Sequence, residues 1–115
     1  MTDIAAAKPQ QTHSISEAQP DNDSFAQARQ VFAERSVFTT QYQTLLRHLR
    51  RARQEAGITQ VQLGERLGQP QAIISKCERG ERRLDVIELR AYCAALGRSY
   101  LQFLQEVEEE LAKVP

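Results

Sequence analysis

The stretch TQVQLGERLGQPQAIISKCERG, residues 59–80, decides the fold of this chain. Its apolar positions form two short amphipathic segments, about 60–67 and 71–79, which Gly68 and Pro70 separate. Helices of this length are marginal on their own in water, so packing must hold them in place. Each segment opens on a glutamine, Gln60 in the first and Gln71 in the second. Solvation alone explains many surface glutamines, and the surrounding sequence must show whether these two do more.

The same stretch has the spacing of two helices joined by a tight turn. Gly64 is the small residue that lets the second helix approach the first, and Gly68 makes the turn. Thr59 caps the first helix, and Pro70 stands at the start of the second, where a missing N–H is harmless. The inner apolar positions are Leu63, Leu67, Ile74 and Cys77. A small residue, a glycine turn and then apolar positions are typical of a helix-turn-helix.

Three further helices are predicted, over about 40–56, 86–96 and 100–112, the last two capped by Asp85 and Ser99. Glycines end four of the five helical patterns, because glycine reaches the left-handed conformation at little steric cost. No segment alternates as a strand does. The predicted fold is all-α, a five-helix domain. The inner faces of the three helices are Tyr42, Leu45, Leu46, Leu49 and Ala56, then Val86, Leu89, Cys93 and Leu96, then Tyr100, Phe103, Leu104, Val107 and Leu111.

The N-terminal part of the chain has a different composition. Residues 1–23 are rich in Gln, Ser, Thr, Ala, Asp and Pro, and they cannot bury enough apolar surface to offset the entropy of ordering. They are therefore predicted to be disordered. From Ser24 an apolar stripe of Phe25, Ala28, Val31 and Phe32 predicts a short, marginal helix over 24–35. We divide the chain into a tail, residues 1–36, and a domain, residues 37–115.

Charge is unevenly distributed although the formal net charge is zero. Residues 41–98 carry eleven basic and six acidic side chains, a net charge of +5, whereas residues 1–40 and 99–115 carry −2 and −3. A basic middle between acidic ends is expected of a module that binds nucleic acid. By itself this asymmetry is a weak signal.

Several other classes of protein are disfavoured. The sequence has no 18-residue apolar run and no signal peptide, so we expect a cytoplasmic protein without a membrane partner. Cys77 and Cys93 form no CxxC motif and lie far from any histidine in sequence, so we expect no metal site. No cofactor motif appears in the sequence, so we expect no cofactor. Both cysteines are expected to be small core residues. We expect His48 to be exposed and the glutamates at 106–110 to form a solvated helix face.

The segments ARQEAGITQ, LGERLG, ISKCERGERR and ALG, which start at residues 52, 63, 74 and 95, stand in register with one another. Over about residues 42–105 the chain resembles the phage repressor and Cro type of helix-turn-helix, the XRE family of transcriptional regulators. Two positions depart from the family pattern. Gln69 stands where the family has an aliphatic residue in the turn, and Cys77 where it has a bulkier apolar side chain.

The resemblance implies that helix 71–79 enters the major groove and that the start of helix 60–67 holds phosphate. Gln60 would then donate to a phosphate oxygen, and Gln71 would bond an adenine edge through N6 and N7. Ala72 and Ile73 would touch thymine methyls, although Ile73 is as well placed for the core. Lys76 would reach guanine or phosphate. The implied DNA-binding residues are Gln60, Gln71, Ala72, Ile73, Ser75, Lys76, Arg79, Arg82 and Arg83.

The family pattern also implies a partly buried ion pair between Arg53 and Glu78. It implies a homodimer, for which the candidate interface is Tyr100, Leu101, Leu104 and the C-terminal tail.

The leading hypothesis is a sequence-specific DNA-binding regulator, a repressor in the first instance, that acts without catalysis. An alternative, compatible with it, is an antitoxin-type interaction module whose segment from Phe25 to Phe38 docks a protein partner. An enzyme is disfavoured because His48, Cys77, Glu78 and Cys93 do not make up a set of nucleophile, base and orienting group, so no catalytic residue is assigned.

Overall fold

In the computed structural model, residues 22–34 and 39–113 are described. They form helices only, with no strand among them, as the sequence predicted. The helices are α1 (Asn22–Ala33), α2 (Thr40–Glu55), α3 (Gln60–Leu67), α4 (Gln71–Arg79), α5 (Val86–Ala95) and α6 (Tyr100–Lys113). The chain divides into two units, residues 1–35 with α1 and residues 36–115 with α2–α6. No helix in the described ranges has the length and apolar character needed to cross a membrane.

The first unit contributes one described helix, α1. It begins at Asn22, two residues before the predicted start at Ser24, so the last two residues of the predicted disordered segment are helical. Its large apolar side chains are exposed, with Phe25 at 48%, Val31 at 51% and Phe32 at 73%. Residues 1–21 lie outside the described residues, and their predicted disorder stays a prediction.

The ends of the helices in the second unit follow the predicted capping residues. The Thr59 hydroxyl accepts a bond from the Gln62 N–H at 3.0 Å, and the Gln62 side chain accepts one from the Thr59 N–H at 2.9 Å. Asp85 and Glu88 form the same reciprocal pair at the start of α5. Such pairs satisfy N–H groups that a helix start leaves without partners. Gly68, with φ of +67°, ends α3 in the left-handed conformation and makes the predicted turn.

The core of the second unit lies between α2 on one side and α3, α4, α5 and α6 on the others. Leu46, Leu49, Leu63 and Cys93 are completely buried. Cys77 is 3% exposed, which confirms that both cysteines are core residues. The remaining buried apolar side chains are Ala52, Ile74, Leu89, Tyr92, Leu96, Phe103 and Val107.

The predicted burial or exposure of three residues was wrong. Ala56 is exposed, and Ala52, one turn earlier on α2, is buried in its place. Val86 is 64% exposed because it is the first residue of α5, at the end of the apolar stripe. His48 is 9% exposed rather than solvated, since α6 packs on α2 and covers it.

The glutamates of α6 are also more than a solvated face. The Glu110 carboxylate lies 2.7 Å from His48 Nε2 and pairs with Arg47. The His48 hydrogen bond lowers the pKa of Glu110, although burial works against it. Glu106 pairs with Arg98 at 3.3 Å. The contacts of Glu110 join α2 to α6, and Glu106 pairs with an arginine of the loop before α6, so part of the acidic face is used within the domain.

The two helices of the helix-turn-helix approach each other closely at Gly64. A Cβ atom there would lie 2.4 Å from the Gln69 carbonyl oxygen, well inside van der Waals contact. The Gln69 N–H in turn donates to the Gly64 carbonyl at 2.8 Å. Gly64 therefore permits the tight return of the chain from α3 to α4, as its small size predicted.

Candidate nucleic-acid interface

The predicted DNA-facing residues of α4 divide into an exposed set and a half-buried set. Gln71, Ala72, Lys76 and Arg79 are exposed, whereas Ile73 and Ser75 are half-buried. Among the described residues, the Lys76 ammonium group makes no hydrogen bond or ion pair. The first turn of α4 therefore presents an amide and a methyl group to solvent, and its second turn presents the ammonium group of Lys76, whose charge also acts on Glu81.

Gln60 and Gln71, the two glutamines that open the helices, are bonded to each other. The Gln71 amide donates from Nε2 to Gln60 Oε1 at 2.7 Å. The Gln60 amide donates from its own Nε2 to Glu78 Oε1 at 2.9 Å. Gln60 is half-buried, and one of its two N–H groups is used within the protein. The two glutamines are therefore not independently solvated surface residues.

Glu78 is the buried end of this network and ties α4 to the core. Arg53 Nε and Nη2 donate to its two carboxylate oxygens at 2.7 and 3.2 Å, which confirms the implied ion pair. The Tyr92 hydroxyl donates to Glu78 Oε2 at 2.9 Å. Burial alone would raise the pKa of Glu78, but hydrogen bonds from Arg53, Gln60 and Tyr92 outweigh it and lower the pKa. Glu78 is therefore an ionised, fully bonded carboxylate.

α4 is fastened to α2 at its C-terminal end by a second arginine. Arg50 Nη1 donates to the Glu78 carbonyl oxygen at 2.8 Å, and the helix ends one residue later at Arg79. Arginine at this end of a helix also interacts favourably with the helix dipole. The position of α4 on the body of the domain is thus fixed by Arg50 and Arg53 of α2.

The three flanking arginines, Arg79, Arg82 and Arg83, line the end of α4 and the loop after it. Arg79 pairs with Glu81 at 3.0 Å and contacts the Ser75 hydroxyl. Arg82 pairs with Glu88 at 2.9 Å. The Arg83 guanidinium carbon lies 4.5 Å from the centre of the Tyr42 ring. All three side chains are exposed to solvent.

The sequence left open whether Ile73 belongs to the core or to the DNA-facing surface, and the structure places it partly in the core and partly at the surface. It is half-buried, and it lines a groove of about 170 Å³ beneath α4. The groove also contains Cys77, the small residue at a position where the family has a bulkier one, and Gln69 of the turn. Part of Ile73 is thus turned toward the protein, and part remains exposed beside Ala72.

Sequence reasoning missed Tyr92 as the hydroxyl donor to Glu78. Leu89, Tyr92, Cys93 and Leu96 are spaced i, i+3, i+4, i+7, which is the apolar stripe of a helix, so a signal for burial was present. The bond between Gln60 and Glu78 had no such signal. It joins residues that are 18 positions apart and depends on how α3 packs against α4.

Comparison with known proteins agrees with this geometry. The family model HTH_3, described as helix-turn-helix, matches residues 49–103. Among solved structures, the chain is similar to an XRE-family like protein from Pseudomonas syringae pv. tomato str. DC3000. The two are 47% identical, with a TM-score of 0.59, over 65% of this chain and 88% of that chain.

The chain belongs to the XRE family of helix-turn-helix proteins. No curated protein matches it. As an XRE-family protein it is a DNA-binding helix-turn-helix regulator, and α3 and α4 are the two helices of that motif.

Proposed function

We propose that the protein is a cytoplasmic, sequence-specific repressor that reads the major groove with α4 and acts without catalysis. The observation that carries the proposal is the exposed side chain of Gln71 at the first position of α4, whose amide is hydrogen-bonded to Gln60. A side chain that reads a base must project from the start of the recognition helix and must be held in one orientation. The DNA-binding module is residues 37–115.

In this proposal Gln71 meets the edge of an adenine, and the remaining N–H of Gln60 meets a phosphate oxygen. Ala72 and the exposed part of Ile73 lie next to Gln71, where a thymine methyl group would pack. Ser75 and Lys76 face the following base pair or its backbone. These contacts divide into those that choose the sequence and those that set the register of the protein on the duplex.

Arg79, Arg82 and Arg83 are assigned to phosphate contacts on the flanks. In the free protein Arg79 and Arg82 pair with Glu81 and Glu88, and these pairs are exposed. Exposed ion pairs are weak because water screens them. Both arginines can therefore exchange a carboxylate for a phosphate when DNA binds, and release of counterions from the duplex favours that exchange.

We further propose that two copies bind together, because one recognition helix reads only a few base pairs. Leu101, at the start of α6, is 76% exposed, and Tyr100 and Leu104 beside it are half-buried. Pairing of two copies through these residues would bury Leu101 and would place two α4 helices on an inverted repeat. Occupancy of such a site is enough to block other proteins there, which makes repression the simplest outcome.

Selection from a library of random duplexes tests this function directly. The full chain should enrich one sequence with an inverted repeat, and transcription from a promoter carrying that sequence should fall when the protein is added. Enrichment of no sequence over the starting library would contradict sequence-specific binding. A rise in transcription would contradict repression but not sequence-specific binding.

A second function is favoured by the exposed apolar face of α1. Phe25, Val31 and Phe32 form a stripe suited to a protein partner such as a toxin. Replacement of Phe25 and Phe32 by serine should abolish co-purification of such a partner and leave the selected DNA sequence unchanged. Unchanged co-purification would exclude α1 as the docking segment.

A further inference from the structure

A continuous line of hydrogen bonds runs from the core to the first residue of α4. Arg53 and Tyr92 bond to the Glu78 carboxylate, Gln60 donates to Glu78 at 2.9 Å, and Gln71 donates to Gln60 at 2.7 Å. Glu78 is 2% exposed, whereas Gln71 is on the surface. A charge fixed inside the protein is thus linked through two amides to the side chain assigned to a base.

The chemistry of these groups fixes the direction of every bond in the line. An ionised carboxylate has no proton to donate and can only accept hydrogen bonds. Gln60 must therefore turn its NH₂ group toward Glu78, which leaves its carbonyl oxygen on the side of Gln71. That oxygen also only accepts, so Gln71 must turn its NH₂ group toward Gln60. The orientation of both amides follows from the charge on Glu78.

This orientation determines what Gln71 can offer to DNA. One of its two N–H groups is used on Gln60, and the other N–H and the carbonyl oxygen remain as an adjacent donor and acceptor. Adenine presents a matching acceptor at N7 and donor at N6, whereas guanine presents two acceptors at N7 and O6. An amide with its oxygen turned toward Gln60 would offer only N–H groups and would suit guanine better.

We propose that Glu78 is a positioning residue for base choice. Through Gln60 it fixes which way round the Gln71 amide meets the base, and it thereby favours adenine over guanine at that position. This role adds to the ion pair with Arg53, because Glu78 Oε1 accepts from Gln60 as well as from Arg53 Nη2, whereas Tyr92 bonds only to Oε2. The inference rests on the proposed function, since it requires that Gln71 meet a base.

The probes are the duplex that the full chain selects from a random library and a second duplex that differs at one base pair. That pair is the A·T pair at which Gln71→Ala removes discrimination, and it becomes G·C in the second duplex. The wild-type protein should prefer A·T by roughly 5- to 150-fold, the range of one good bidentate contact. The measured quantity is the ratio of the two affinities, from which the unfolded fraction of any variant cancels.

The main variant is Glu78→Gln, because a carboxamide can donate to Gln60 and reverse both amides. The ratio should fall toward one or invert in favour of G·C. Tyr92→Phe is the matched control. It removes the bond to the carboxylate oxygen that Gln60 does not use, so it should lower stability and leave the ratio unchanged.

Gln60→Met keeps the test decisive even where Glu78→Gln fails to fold, since it interrupts the line and leaves the ion pair of Glu78 intact. It should also lower the ratio, and Glu78→Gln added to it should lower the ratio no further. An unchanged ratio in Gln60→Met, or in folded Glu78→Gln, overturns the role of Glu78. If Gln71→Ala relaxes no position at all, the proposed placement of α4 fails instead, so the two failures are distinguishable.

Discussion

At the scale of single residues, Glu78 combines a charge with nearly complete burial, at 2% exposed. Its partner Arg53 is 13% exposed, so neither group can recover much solvation if the other is removed. Glu81, three residues later, also pairs with an arginine but is 50% exposed. The two glutamates therefore form a matched comparison of a buried and an exposed ion pair.

Glu78→Ala should lower the free energy of unfolding by about 3–5 kcal/mol, because it leaves the Arg53 charge buried without a partner. Glu81→Ala should change it little, since water screens an exposed pair. Urea denaturation followed by circular dichroism measures both variants. Equal shifts of the two midpoints would show that the Arg53–Glu78 pair does not hold α4 on α2.

The same carboxylate should give the protein part of its acid sensitivity. The pKa of Glu78 is lowered in the folded state, so the folded protein binds fewer protons than the unfolded chain near pH 4. This contribution to stability is complete above the ordinary pKa, 4.5, and is lost as the pH falls through the lower folded value. Stability measured from pH 6 to about pH 2.5 should therefore fall less steeply in Glu78→Gln than in Glu108→Gln, whose glutamate is exposed. Identical slopes would contradict the shifted pKa.

At the scale of elements, most of the fold could be predicted because its signals are local. Thr59 and Asp85 cap the helices that follow them, and Gly68 makes the turn, since these effects act within a few residues. Burial at helix ends was predicted less well. Val86 is exposed although its spacing matches the apolar stripe, because periodicity gives the direction of a side chain and not whether a neighbouring helix extends far enough to cover it.

Gly64→Ala should destabilise the protein although alanine is the better helix former by about 1 kcal/mol. The added Cβ would lie 2.4 Å from the Gln69 carbonyl oxygen, and backbone on the other side of a tight turn cannot move away cheaply. We expect a net loss of about 1–3 kcal/mol in the free energy of unfolding, as in other overpacked sites. Glu65→Ala, at an exposed position of the same helix, should change it by less than about 0.5 kcal/mol. A stabilised Gly64→Ala variant would contradict the close approach of α3 and α4.

At the scale of the whole molecule, the sequence alone identified the helix-turn-helix and proposed a set of DNA-binding residues, but it did not show how those residues bond to one another. The Gln60 side chain was assigned to phosphate, and in the folded protein it also joins Glu78 to Gln71. His48 was expected to be exposed to solvent, but α6 covers it, and its hydrogen-bond partner Glu110 lies 62 positions later in the sequence. Such contacts depend on the packing of helices distant in sequence, which no local pattern contains.

The proposed dimer can be tested by a substitution at its candidate interface on α6. Leu101→Asp should turn a dimer into a monomer and should abolish the preference for duplexes with two half-sites about 10 bp apart. Ile87→Asp is the matched control, because Ile87 is 73% exposed and lies on α5, outside the proposed interface. Sedimentation and binding to duplexes with one or two half-sites measure both effects. A wild-type protein that remains monomeric on a single half-site would exclude the proposed pairing.

The central claim is that α4 reads bases through Gln71, and the affinity of Gln71→Ala for two duplexes tests it most directly. On the selected duplex the variant should bind about 1–3 kcal/mol more weakly than the wild type, and on a scrambled duplex it should bind equally well. Gln54→Ala, which removes an exposed glutamine of α2 with no assigned DNA contact, should match the wild type on both. If Gln71→Ala leaves both affinities unchanged, α4 does not meet the bases through Gln71.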